Sequence, residues 1–508
     1  MKNAQTAYIT TPIYYPSGAP HLGSAYTSLA ADVYARFQRL DGKDTYFLTG
    51  TDEHGLKLQR KAEEAGVTPQ AYVDEMSKQF RTLTPMLNLS NDDFIRTTEE
   101  RHKAGVQALW LKLQEKGWIY KATYSGWYCV SDEAYYDESE LVEGKAPSGH
   151  PVEWMEEESY FFKLSAFGDK LLELYKKNPN FIQPESRRNE VVSFVKGGLQ
   201  DLSISRTTFN WGVPVPNDPK HVMYVWIDAL TNYITALGYP NQDAESKWKY
   251  WPAIHVVGKD ILRFHAVYWP AFLMGAELPV PQQVFAHGWW TSEGKKMSKS
   301  FGNVVDPAAL TAEFGVDPIR YFLLREVPFG NDGDFVRNRL IGRVNVDLAN
   351  ELGNMFQRVL AMVNKNCNAQ VPAMGAMDAE DDTFMELMRA APAKVRTHMN
   401  TLAFHKALET IWEIVIAANV YMDRQAPWQL KKTDEQRMAH VLRVLMEAQR
   451  VIAVLLQAFM PEKAAAMLAL LGLEATPLSA LTTVPALTTG AVLPAPAGLF
   501  PRIEAPAA

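Results

Sequence analysis

Apolar residues crowd the stretch AYITTPIYY, stop at the turn residues PSGAP, and return in SAYTSLAADVYARFQRL with Ala25, Leu29, Val33 and Phe37 at four-residue spacing. The first pattern predicts a buried strand and the second a helix. DTYFLTG repeats the strand pattern and a charged helix through LKLQRKAEEAG follows, so the chain opens as a doubly wound α/β domain. From about Gly117 to Met223 the texture changes to short aromatic and acidic segments such as SGWYCVSDEAYYDESEL, which predicts an inserted module. AIHVVGKD and QQVFAHG then restore the α/β signal, each a short apolar run ending in glycine and polar residues, as parallel strands do. Beyond about Gly333 nearly every segment has helical period, which predicts a helical bundle to about Leu473. Residues 474–508, rich in Pro, Ala and Thr, read as a loosely packed wrap or tail. The expected segments are 1–116 and 224–288 for the α/β domain, 117–223 for the insert, 289–333 for a connecting region, 334–473 for the bundle and 474–508 for the tail.

Composition narrows the function classes. With 508 residues, 47% of them hydrophobic, the chain can bury a large core. Even VIAVLLQAFMPEKAAAMLALLGL is interrupted by Pro461, Glu462 and Lys463, and the amino terminus has no leader pattern. A cytoplasmic protein with no membrane partner is expected. Cys129 and Cys367 lie far apart and form no CxxC pair, which argues against a disulfide framework or a four-thiolate zinc site. A net charge of -7 does not favour nonspecific polyanion binding. Against that background TSEGKKMSKSFGN, residues 291–303, puts three lysines in five positions. A solvated loop is the plain reading unless another segment calls for an anion.

In an open α/β sheet the ligand crevice lies at the carboxyl ends of the strands. PSGAPHLGS sets His21 and Ser24 around Gly23 at a helix start, where free N–H groups favour an anion; a simple cap is the alternative. TGTDEHG offers Asp52, Glu53 and His54. Adjacent loop residues rarely converge on one metal, so a carboxylate pairing with a ligand ammonium, or a helix cap, fits better. In GKDILRFHAVYW, Ile261, His265 and Trp269 follow four-residue steps, and Trp226, Ala229 and Tyr233 share a face if YVWIDALTNY is helical. Such stripes are either core or the wall of a pocket for an uncharged, polarizable side chain.

Taken in order, PHLGS, TDEHG, WIDAL, GKDI-x-x-FH, HGW and KMSKS resemble the class I aminoacyl-tRNA synthetases, specifically the methionyl-tRNA synthetase family. The resemblance runs from about Thr6 to beyond Trp428. It implies a Rossmann-type catalytic domain with a connective insert, a KMSKS and stem-contact region and an all-α anticodon-binding bundle. The implied activity is that of a ligase using ATP and Mg2+ to activate L-methionine and load it onto tRNA(Met), initiator and elongator. His21, Ser24, Lys296 and Lys299 are the implied catalytic groups. ATP would further meet Gly23, Gly258, Asp260, His287, Gly288, Trp289, Met297, Ser298 and Ser300. The implied methionine pocket is Ile13, Tyr15, Asp52, Trp226, Ala229, Leu230, Tyr233, Ile261, His265 and Trp269. Asn350, Asn354, Arg358 and Trp428 match anticodon-reading positions; on an ideal helix the first three span about 80° of one face. Ser24 departs from the family signature, which ends in a second histidine. The knuckle that often holds zinc reads Cys129, Asp132, Lys145 and Ser148 here, so no zinc is expected. The lack of an extra carboxyl-terminal tRNA-binding domain implies a monomer. Rival readings are another class I synthetase, an adenylyltransferase, or a catalytically silent tRNA-binding relative.

Overall fold

The computed structural model describes residues 5–132, 134–243, 246–297 and 302–504. They divide into two compact units, one drawn from residues 6–31 and 45–288 and the other from residue 5, residues 32–44 and residues 289–504.

The first unit is built on a six-stranded sheet. Its strands are β1 (Thr6–Thr10), β2 (Asp44–Thr51), β3 (Asp93–Arg96), β4 (Ile182–Gln183), β5 (Ile254–Gly258) and β6 (Gln283–His287), in the order β3-β2-β1-β5-β6-β4. The β2–β3, β1–β5, β5–β6 and β6–β4 pairings are parallel, with Ile9 opposite Ile254 and Gly258 opposite His287. The strand order reverses between β1 and β5, which opens the crevice at their carboxyl ends. β1 stops at Thr10, earlier than the apolar run suggested. Pro12 removes a ladder donor, and past it the chain pairs with β2 again through a parallel bridge from Tyr14 to Thr51. Helix α1 (Leu22–Leu40) follows, with Ala25, Leu29, Val33 and Phe37 buried as its spacing required. Helices α2 (Glu100–Glu115) and α3 (Val225–Thr235) also belong to this unit. The inserted segment carries its own antiparallel sheet, dominated by Ile119–Cys129 against Glu153–Phe162.

The second unit is mostly helical, with long helices Ala379–Asn400, Phe404–Gln425 and Glu435–Leu456. Two features were not legible beforehand. Asp32 and Arg320 are both fully buried and 2.7 Å apart, and the Arg320 guanidinium also donates to the carbonyls of Ala458 and Phe459. The tail is firmly held instead of loose. Glu447 accepts the N–H groups of Ala486 and Leu487 at 2.9 and 2.7 Å, Arg450 donates to the carbonyls of Ala480 and Thr483, and Asn345 exchanges two hydrogen bonds with Ile503. Its low-complexity composition supplies backbone groups, and buried charged side chains on the bundle satisfy them.

Asp317 in this unit gives a pH prediction. It is 2% exposed, and one oxygen accepts the Lys463 N–H at 2.6 Å. Burial outweighs that bond and raises its pKa to about 6. A raised carboxyl pKa means the folded state holds the proton more tightly than the unfolded one, so stability from this group is greatest below pH 4 and is lost as pH rises towards 6. The loss is up to about 3 kcal/mol. Asp317→Asn should therefore melt progressively higher relative to the parent as pH goes from 4.5 to 7.5; a melting-temperature difference independent of pH would contradict the account.

Candidate active site

The pocket residues proposed from sequence lie in one unit, and most converge on one aromatic cluster. Tyr233, His265 and Trp269 are buried, with ring centroids 5.7 Å apart for Tyr233–His265 and 6.1 Å for Tyr233–Trp269. Trp226, half-buried, stacks flat on Phe264 at 3.7 Å and turns its edge to His265 at 6.2 Å. Ala229 and Leu230 are buried on the same helix, while Ile13 and Ile261 are partly buried against the same core. One expectation needs correcting. Ile261, His265 and Trp269 do not sit on a single α-helix, because the backbone passes from a 3-10 turn at Lys259–Ile261 through a π segment at Phe264–Tyr268 into the helix Trp269–Gly275. Their convergence comes from that irregular path.

Hydrogen bonds fix the protonation of this cluster. His265 Nδ1 donates to the Ile261 carbonyl at 2.9 Å, so its Nε2 accepts from the Tyr233 hydroxyl at 2.7 Å. His255, which sequence reasoning passed over, is fully buried beneath them. Its Nε2 accepts from the Trp269 indole at 3.2 Å, which leaves Nδ1 to donate to Thr10 Oγ1 at 2.8 Å. Burial pushes His265 down to about 4 and His255 well below its usual value, and burial raises Tyr233. All three are neutral at pH 7. Asp52, 8% exposed at the end of β2, is close enough for its charge to act on Tyr233. Its N–H donates to the Tyr14 carbonyl, and Tyr15 beside it is half-buried with the Lys57 ammonium 5.6 Å from its ring.

The rest of the TDEHG segment is structural. Glu53 is buried and accepts from Thr51, Arg96 and Thr98, and its carbonyl accepts the Trp211 indole N–H at 2.6 Å. His54 Nδ1 lies 2.6 Å from Asp228 Oδ2, and His102 Nε2 lies 2.7 Å from Asp228 Oδ1. Burial alone would raise Asp228, but the two histidines outweigh it and hold the carboxyl at about 2. A signal was available in the sequence, since an acid inside the apolar run VWIDALTNYIT has to find buried partners.

The start of α1 has the character of a cap. His21 is exposed and its Nδ1 accepts the Gly23 N–H at 3.0 Å, whereas Ser24 is only 5% exposed. A Cβ on Gly23 would lie 2.8 Å from His21 Cε1, and one on Gly258 would lie 2.5 Å from Asp260 Oδ1, so a side chain at either position would have to displace that ring or carboxylate. His287 is buried, 2.7 Å from Thr27 Oγ1, with Nδ1 donating to the Gly288 carbonyl. In the helical unit, Lys295–Lys296 forms a hairpin with Trp290–Ser292. Lys296 is exposed with its ammonium 5.2 Å from the centre of the Trp289 ring, and Met297 is half-buried. Ser298, Lys299 and Ser300 lie outside the described residues.

In the insert, Asp132 accepts hydrogen bonds from Tyr136 and Ser148 near the buried Cys129, and no group of three or more metal-ligating side chains occurs among the described residues. Asn350 and Asn354 are exposed while Leu348, Leu352, Met355 and Val359 are buried. The stretch Val344–Gly353 is π-wound between the α-helical stretches Arg337–Arg343 and Asn354–Asn366, so the ideal angular reckoning does not apply across the junction. Arg358 lies over the Trp428 ring at 5.5 Å, and Trp428 is 40% exposed.

Comparison with known proteins agrees from end to end. A family model described as class I tRNA synthetases (M) matches residues 7–151 and 148–360, and one described as the anticodon-binding domain of methionyl tRNA ligase matches 371–507. The methionine–tRNA ligase of Mesorhizobium japonicum is 55% identical over 99% of this chain and 98% of its own length; that of Rickettsia bellii is 54% identical over 98% and 99%. The Mycobacterium tuberculosis methionyl-tRNA synthetase solved with methionyl-adenylate superposes with a TM-score of 0.95 at 50% identity, covering 98% of this chain and all of that one. With its parallel α/β sheet, its helical second unit and matches across nearly its whole length, the chain belongs to the class I methionyl-tRNA synthetase family.

Proposed function

We propose that this protein is a methionine–tRNA ligase that joins L-methionine to ATP and passes the methionyl group to tRNA(Met). The observation that carries the reading is the electrostatic character of the pocket. Its histidines are neutral, its walls are aromatic, and Asp52 supplies a negative charge at one edge. An α-ammonium pairs with Asp52, and an uncharged thioether suits ring edges better than a charged or strongly polar side chain does. The methionine carboxylate oxygen attacks the α-phosphorus, the bond to pyrophosphate breaks, and a hydroxyl of the terminal adenosine later displaces AMP from the methionyl carbonyl. Magnesium enters as part of the MgATP substrate. His21, Ser24, Lys296 and Lys299 supply donors and positive charge to phosphoryl oxygens, with Gly23, Gly258, Asp260, His287, Gly288, Trp289, Met297, Ser298 and Ser300 completing the nucleotide contacts. The enzyme works without zinc, as a cytoplasmic monomer, and accepts initiator and elongator tRNA. Among the described residues no helix is long and apolar enough to cross a membrane.

Pyrophosphate exchange into ATP, scanned over the twenty amino acids, tests the activity; exchange greatest with methionine is expected, and exchange driven by another amino acid would refute it. The exposed Trp428, with Asn350, Asn354 and Arg358, is assigned to the anticodon, where a ring platform stacks unpaired bases. Trp428→Ala should keep pyrophosphate exchange intact while lowering aminoacylation kcat/KM by about 10- to 100-fold, the range of one lost stacking contact. Unchanged aminoacylation would remove that assignment.

A further inference from the structure

Asp228 sits at the junction of three elements, and its own carboxylate is committed to two protein side chains. Its two oxygens go to two histidines from different parts of the chain, His54 in the loop after β2 and His102 on α2, at 2.6 and 2.7 Å, with all three side chains buried. His102 also lies 2.9 Å from Thr235 Oγ1, at the far end of α3. Trp226, Ala229, Leu230 and Tyr233 occupy an arc of about 100° on α3, and Asp228 points about 150° away from the middle of that arc. The helix that presents the pocket wall is therefore gripped from behind.

The loop carrying Asp52 is gripped by the same carboxylate, because His54 is two residues further on. Its other restraints run through Glu53, Arg96 and the Trp211 indole, and the Gly55 N–H donates to the Trp211 carbonyl. We infer that Asp228 is a positioning residue for methionine, bridging His54 and His102 so that Asp52 and the aromatic wall of α3 are held at a fixed separation. A buried carboxylate tolerates the loss of either histidine poorly, so the two walls move together or not at all. ATP contacts at Gly258, Asp260 and the start of α1 are not part of this bridge.

The inference rests on the placement of methionine proposed above, and its test separates the two. Asp228→Asn keeps the shape but offers one acceptor in place of two. His102→Gln breaks the bridge from a helix that contributes no residue to the pocket. In methionine-dependent pyrophosphate exchange, normalised by active-site titration, both variants should raise KM for methionine by about 10- to 100-fold, the effect of a displacement near 1 Å, and leave KM for ATP within about twofold of the parent. If Asp228→Asn does not fold, His102→Gln and His54→Gln decide the matter. A lowered melting temperature with methionine KM unchanged, or an equal rise in both KM values, would reduce the bridge to ordinary packing and overturn the inference. Asp52→Asn serves as the reference. A strong effect there with none at Asp228 or His102 removes the bridge alone, while no effect at Asp52 removes the placement of methionine and the inference with it.

Discussion

Replacing Lys296 and Lys299 together by alanine is expected to slow methionine-dependent pyrophosphate exchange by about 10³- to 10⁴-fold, with KM for methionine unchanged. Positioned charge on a transferring phosphoryl group is where this reaction finds its catalysis, and each such donor contributes roughly 10²- to 10³-fold, less than additively when two act on one group. Lys296 is exposed on a hairpin and belongs to no core, so its removal should leave stability within about 0.5 kcal/mol of the parent. Stopped-flow or exchange assays on folded variant protein read the rate directly. Exchange within tenfold of the parent would end the assignment of these lysines to the polyphosphate.

Asp52→Asn is expected to raise KM for methionine by about 30- to 100-fold while KM for ATP stays put. The substitution preserves shape and the N–H bond to the Tyr14 carbonyl, so the change is one of charge. At 8% exposure the carboxylate is largely screened from water, and a charge-assisted hydrogen bond to an ammonium is worth about 1.5–3 kcal/mol. Methionine amide, which keeps the ammonium, should lose affinity in parallel as a competitive inhibitor. If the variant's methionine KM stays within threefold, Asp52 does not hold the amino group.

The chain's own pattern determined a good deal. The alternation of strand and helix signals, the positions where β2, β5 and β6 end, and the burial of Ala25, Leu29, Val33 and Phe37 follow from local periodicity, because side-chain direction repeats with backbone geometry. The motif segments PHLGS, TDEHG, WIDAL, GKDI and KMSKS marked the family through their residue types and their order along the chain.

Tertiary structure decided the rest. Sequence could not say that Asp228 joins His54 to His102, since those partners stand 174 and 126 residues away and a buried acid announces only that it needs company. Nor could it foresee His255 beneath Tyr233 and Trp269, a π-wound turn at Phe264–Tyr268 that brings His265 to Tyr233, or a tail pinned by Glu447 and Arg450. Periodicity reports which face of an element is dry. Which buried polar group meets which is settled only when distant elements pack, because the cost of leaving one unpaired selects the single arrangement that satisfies them all.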